Sequence, residues 1–148
     1  MQDANTRDSL VLPFLGPIYR LFAGPAETLL RVICGVALVV HGLPKIMDPF
    51  GAAGMVESIG FWPGWLWSVL LAVGEFGSGV LLIVGFLTRP AALVATIILL
   101  VTVYFHWIQL GQGWEGSEKS ILWAAVTLFF AVNGARTISV DRILGRQF

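Results

Sequence analysis

Apolar stretches separated by short polar, glycine- or proline-rich breaks run through the chain from about residue 26 to 133. A helix that crosses a bilayer needs roughly 20 apolar residues. The run from Trp65 to Arg89 meets that length, with one carboxylate, Glu75, near its centre. The other stretches predict spanning helices over about Ala26 to Leu43, Ala91 to Trp107 and, shorter, Glu118 to Asn133. Gly85-Phe86-Leu87-Thr88-Arg89-Pro90 leaves room only for a tight turn between the second and third, and Gln109 to Ser117, with three glycines, predicts a loop. Pro17 to Ala23 is too short to span and predicts an interfacial helix. Between the first two spans Ala52, Met55, Val56 and Ile59 recur at helical spacing. Asp48 there is placed to cap, Pro49 to start and Gly60 to stop a small amphipathic helix. The pattern predicts an all-α, integral-membrane four-helix bundle with a short N-terminal interfacial helix and a short amphipathic helix between spans one and two. The expected divisions are a tail and interfacial helix over 1–25, the bundle over 26–134 and a second tail over 135–148.

Polar positions inside the spans are few, so each needs a reason. An acidic side chain at the bilayer centre costs at least about 2.5 kcal/mol, and such residues face a partner or a cavity. The helical neighbours of Glu75 are Ser68, Ala72, Ser78 and Gly79, a strip of small residues that admits another helix closely. On the first span Arg31, Cys34, Leu38, His41 and Lys45 follow at spacings of three and four and share one stripe. Glu75 then has two readings: an acid that binds a ligand or accepts a proton in a central cavity, or one half of an ion pair with Arg31, whose long side chain can reach along its helix.

Composition agrees with a membrane protein: 57% of residues are hydrophobic, 12% are charged and the mean hydropathy is +0.83. A net charge of zero provides no basic surface for nucleic acid. The single cysteine, Cys34, excludes an intramolecular disulfide, a dithiol pair or a Cys-rich cluster. With Arg31 set aside inside a span, Arg7, Arg20, Arg89, Arg136, Arg142 and Arg146 lie on one side, against Lys45 and Lys119 on the other. Basic residues favour the cytoplasm, so both termini are expected there. All six tryptophans then fall in the outer half.

The same outer half collects His41, Lys45, His106, Glu118 and Lys119, with Glu75 below them and Trp123 just inside the fourth span. A ligand reading gives the histidines to a quinone carbonyl, the lysines to an anionic head group and Trp123 to stacking on a planar ring. The plainer reading makes the histidines interfacial hydrogen-bonding residues, the lysines snorkelling anchors and the tryptophans an interfacial belt. A metal needs three or four converging ligands, and no paired His or Glu-x-x-His spacing is present, so no metal site is expected.

His41-Gly42-Leu43-Pro44-Lys45, Gly74-Glu75-Phe76, Gly85-Phe86-Leu87-Thr88-Arg89, and Asn133-Gly134-Ala135-Arg136 followed by Ser139-Val140-Asp141 resemble, in order and spacing, the DoxX family over about residues 26–142. That resemblance implies a bacterial or archaeal cytoplasmic-membrane protein in a redox setting. The family takes its name from a quinol oxidase and is linked to thiosulfate:quinone oxidoreductase and to oxidoreductase complexes of thiol and superoxide stress. A quinone is the cofactor it implies, and other membrane subunits or further copies of the chain are the implied partners beside the bilayer. A eukaryotic branch resembles receptor-assembly chaperones. The chain has no haem attachment motif, cysteine cluster or nucleotide fingerprint, so alone it lacks an electron carrier and a complete catalytic constellation. The expectation is a small subunit of a quinone-linked complex that binds a quinone head group. The alternative is a structural or assembly subunit whose charges serve helix packing only. Transport is weaker, since four spans without an inverted repeat make a poor transporter.

Overall fold

The computed structural model describes residues 11–145. The expected polar N-terminal tail, with Arg7, and also Arg146 lie outside the described residues. The architecture is all-helical among those described: α1 (Gly16–Met47), α2 (Ala53–Ser58), α3 (Gly64–Val84), α4 (Thr88–Tyr104), α5 (Gly113–Asn133) and α6 (Val140–Ile143). A π-helical turn, Phe105–Gln109, extends α4.

The N-terminal segment is helical, as its pattern predicts, but it runs unbroken into the first span. Pro17 occupies the helix start, where its missing N–H costs nothing, and Pro25 sits inside the continuing helix. Alpha helix α5 begins five residues before the expected Glu118, because Trp114 to Ser117 join it and Glu115 complements the dipole of its first turn. Asp48 ends α1 instead of capping α2, which starts after a turn at Ala53. Three helical segments are long and apolar enough to cross a membrane: Pro13–Met47, Gly64–Val84 and Thr88–Gln109. Helix α5 is the fourth long helix of the bundle, and Glu115, Glu118 and Lys119 make its first turns polar.

Helices α1 and α3 pack along each other, as do α4 and α5, while α3 meets α4 over a thinner seam. The α1–α3 approach is set by glycine. A Cβ on Gly35 would lie 2.7 Å from the Gly79 carbonyl oxygen, one on Gly79 would lie 2.8 Å from that of Gly35, and one on Gly42 would strike the Phe76 backbone at 2.8 Å. Small residues let the two backbones come this close, which is how helices associate where no water drives them together. The strip predicted around Glu75 is this packing face: Ser68, Ala72, Glu75, Ser78 and Gly79 are all buried. The α4–α5 seam uses Ala92, Ala95 and Ala124, with the hydroxyls of Thr96 and Thr127 2.8 Å apart across it.

The opposite ends of the bundle differ. At one end the α3–α4 turn is locked by the C-terminal segment. Gly85 ends α3 with φ +69, where a side chain would also collide with Arg31 and Ser139. The Asp141 carboxylate accepts from the backbone N–H groups of Leu87 and Thr88 at 2.9 Å each, so a residue of α6 satisfies the exposed donors that begin α4. The Asp141 N–H donates to the Gly85 carbonyl at 2.9 Å. At the other end α2 folds over the start of α3: Glu57 accepts from the Gly64 N–H at 2.7 Å, and the Ser68 hydroxyl donates to the Pro49 carbonyl at 2.6 Å.

Candidate ligand cavity

A cavity of about 850 Å³ opens between the α1–α3 and α4–α5 pairs at the tryptophan-bearing end, beneath α2. Its wall is mostly aliphatic and aromatic. Leu70, Val73 and Ile97, on α3 and α4, belong to that wall and are also exposed on the outer surface of the bundle. The cavity is partly open, and these strongly exposed apolar residues stand on its α3–α4 side.

Five of the seven candidate residues line it: Glu75, Lys45, His41, His106 and Trp123. Lys119 joins them, with Phe61, Trp67 and Phe105 as further aromatic wall. Glu75 is nearly buried and forms an ion pair with Lys45, Nζ to Oε2 at 2.8 Å. The Lys45 ammonium also donates to the His41 carbonyl at 3.1 Å. Lys45 is thus more than a snorkelling anchor, since it supplies the counter-charge that a buried carboxylate requires.

Arg31 and Glu118 do not line the cavity. Glu118 is exposed on the surface of α5. Arg31 is 2% exposed, and its guanidinium is spent at the far end, where Nη1 donates to the carbonyls of Leu82 and, at 3.2 Å, Ile83, and Nη2 donates to that of Ile138 at 2.6 Å. The ion pair considered between Arg31 and Glu75 is replaced by Lys45–Glu75, and the cause is register. In an antiparallel pair each step up one helix is a step down the other. With Gly35 against Gly79 and Gly42 against Phe76, Arg31 comes level with the end of α3, while Lys45 falls about a turn from Glu75, a gap its long side chain spans. The carbonyls at a helix end have no partners within the helix, and Arg31 satisfies two of them. Cys34, one turn further on, is fully buried in the core as a small packing residue.

Both histidines are held by their own helix. Nδ1 of His41 lies 2.8 Å from the Ala37 carbonyl oxygen, and Nδ1 of His106 lies 2.9 Å from that of Thr102. A carbonyl only accepts, so Nδ1 carries a hydrogen in each ring. His106 sits in the π-helical turn, a helix irregularity frequent at functional sites, and its ring meets Phe105 edge-on at 5.4 Å. Sequence reasoning grouped Lys119 with these residues at the outer end but missed the α2 residues Met55 and Val56 as cavity wall. Periodicity does mark the buried side of α2, but nothing in it says what lies beneath.

The profile of the DoxX family matches residues 26–107, more than half of the chain, from the first span through the turn that bears His106. The chain belongs to the DoxX family. Two relatives in Escherichia coli K12 extend the likeness over the bundle. The inner membrane protein YqjF is 26% identical over 120 residues, covering 80% of this chain and 91% of the relative. The inner membrane protein YphA is 28% identical over 131 residues, covering 80% and 93%. No solved structure matches the chain. The matched DoxX region holds Arg31, His41, Lys45, Glu75 and His106, and leaves Lys119 and Trp123 to the α5 side.

Proposed function

We propose that this DoxX protein is a small inner-membrane subunit of a quinone-linked redox complex and that the cavity between its helix pairs holds the quinone head group. The observation that carries the proposal is the composition of that cavity: a partly open, apolar, aromatic-walled space of about 850 Å³ that gathers Glu75, Lys45, His41 and His106 on its wall. Binding sites for lipid-soluble aromatic molecules have this character, mostly apolar with a few polar groups that fix orientation. The inner-membrane placement draws on the two relatives, whose names state it of them. In this reading α5 crosses the membrane as the fourth span, which returns both termini to the arginine-rich, cytoplasmic side and sets the cavity toward the outer leaflet. In this reading electrons come from a partner chain, since the sequence has no haem attachment motif, cysteine cluster or nucleotide fingerprint.

The test is purification in mild detergent followed by extraction of bound lipids and identification of accompanying chains. A quinone that co-purifies with the wild type and is lost when Ala37→Trp fills the cavity supports the proposal. Protein that folds, carries no quinone and takes none up from added short-chain ubiquinone or ubiquinol sinks it. A second reading, a structural or assembly subunit, is favoured by the Lys45–Glu75 pair, which neutralises the buried acid without any ligand. It predicts stable partner chains, an empty cavity and unchanged host redox activity in Glu75→Gln.

A further inference from the structure

Apart from its two histidines, the ionisable side chains on the cavity wall are Lys45, Glu75 and Lys119. Two of them cancel, since Lys45 holds Glu75 at 2.8 Å on the α1–α3 side. Lys119, on α5, has no ion pair among the described residues. Glu115 stands one turn before it but is exposed, lies off the cavity wall and makes no ion pair with it. The wall therefore carries one ammonium in excess. The groups beside that ammonium are donors: the hydroxyl of Ser120 and the indole N–H of Trp123, neither with a hydrogen-bond partner among the described residues. Residues four apart share a helix face, so Lys119 and Trp123 stand one above the other on α5.

Much of the remaining wall is aliphatic, with Leu38, Leu71, Val94, Ile98 and Leu99 among it, and suits a flexible hydrocarbon chain. At roughly 30 Å³ for a water-sized group such as a methylene, a cavity of about 850 Å³ takes one long chain with its head, whereas the two chains of a phospholipid overfill it. We infer that the α5 wall holds the anionic head of a single-chain amphiphile, a long-chain carboxylate or phosphate monoester. The head pairs with the Lys119 ammonium and accepts from Ser120 and Trp123, and the chain lies along the aliphatic wall. Lys119 is exposed, so the head stays within reach of water and only the chain is enclosed. A charge placed there is spared the cost of full burial. The inference is independent of the quinone reading, because it uses the α5 wall and leaves the Lys45–Glu75 pair intact.

The experiment is equilibrium binding to the detergent-purified full chain at mildly alkaline pH, corrected against protein-free micelles, with four probes of one chain length: tetradecanoate, tetradecyl phosphate, tetradecanol and tetradecyltrimethylammonium. The expected result is a Kd for at least one acid roughly tenfold or more below those of the alcohol and the cation, about what one hydrogen bond to a charged group contributes. Which acid binds tighter distinguishes the carboxylate from the phosphate. Lys119→Gln should remove the preference, and Lys119→Arg, which keeps the charge, should retain it. Ala37→Trp, or Ile97→Trp where the first does not fold, should weaken binding of the acid by filling the space of the chain. Equal binding of acids and alcohol by the wild type overturns the inference, as does a preference that survives Lys119→Gln. Acid binding undiminished in a folded cavity-filling variant overturns it as well, since the chain then lies elsewhere. Uptake of short-chain ubiquinone is read separately, so either reading can fail without the other.

Discussion

Arg31 and Lys45 lie about four turns apart on the same stripe of α1, yet the bundle treats them differently. Arg31 is enclosed, its guanidinium divided among carbonyls of α3 and of the C-terminal segment, beside a glycine that leaves no room for a side chain. Lys45 is about one-third exposed and pairs with a carboxylate on the wall of an open cavity. One end of the bundle spends its polar groups on backbone and closes. The other holds an ion pair and two rings bonded only within their own helix, and stays open. Buried polar groups that are fully bonded rigidify a fold, while those with capacity left can still serve a ligand.

The largest effect should come from breaking the closed end. Gly85→Val adds a branched side chain at a left-handed backbone position already occupied by Arg31 and Ser139. A loss of about 4 kcal/mol or more is expected, which abolishes the folded protein on size-exclusion chromatography in detergent. Next come Arg31→Met and Asp141→Asn, each expected to cost roughly 2–3 kcal/mol in denaturant-induced unfolding in detergent. The asparagine is as damaging as Asp141→Ala, because the carboxylate accepts two backbone N–H groups and an amide turns a donor toward one of them. An Asp141→Asn protein as stable as the wild type would mean that the C-terminal segment is not what holds the α3–α4 turn.

At the open end the expected effects are smaller. Lys45→Met and Glu75→Gln should each cost about 1–2 kcal/mol, and a double-mutant cycle should return a coupling of about 1 kcal/mol. Arg31→Gln and Glu75→Gln, by contrast, should add to within about 0.5 kcal/mol, since they share no partner. Strong coupling between Arg31 and Glu75 would mean that the register set by Gly35 and Gly79 is wrong. Smallest of all, His41→Phe and His106→Phe should leave stability within about 0.5 kcal/mol, because the hydrogen bonds recorded for both rings are local to one helix turn.

The closed end was partly visible in the chain as Gly85-Phe86-Leu87-Thr88-Arg89 and Ser139-Val140-Asp141, two pieces separated by more than a whole helix pair. That they meet could not be read from either, since a capping carboxylate from a distant segment leaves no local pattern. The open end was visible as a cluster of ionisable residues on one side of the predicted membrane, and five of the seven candidates do line one cavity. What misled was Arg31, which shares a stripe with His41 and Lys45. A stripe specifies a helix face and says nothing about which residue of the neighbouring helix stands opposite.

The helices, the membrane as solvent, the glycine and serine strip on which α3 packs and the end of the bundle where chemistry-bearing groups collect are all legible in the chain before it is folded. These follow from apolar length and helical periodicity, which are properties of one segment at a time. That Glu75 answers to Lys45, that Arg31 and Asp141 tie the C-terminal segment to the α3–α4 turn, and that a cavity lies between the two helix pairs are settled by packing. Each of these depends on register between helices, and register is set where glycines let two backbones meet.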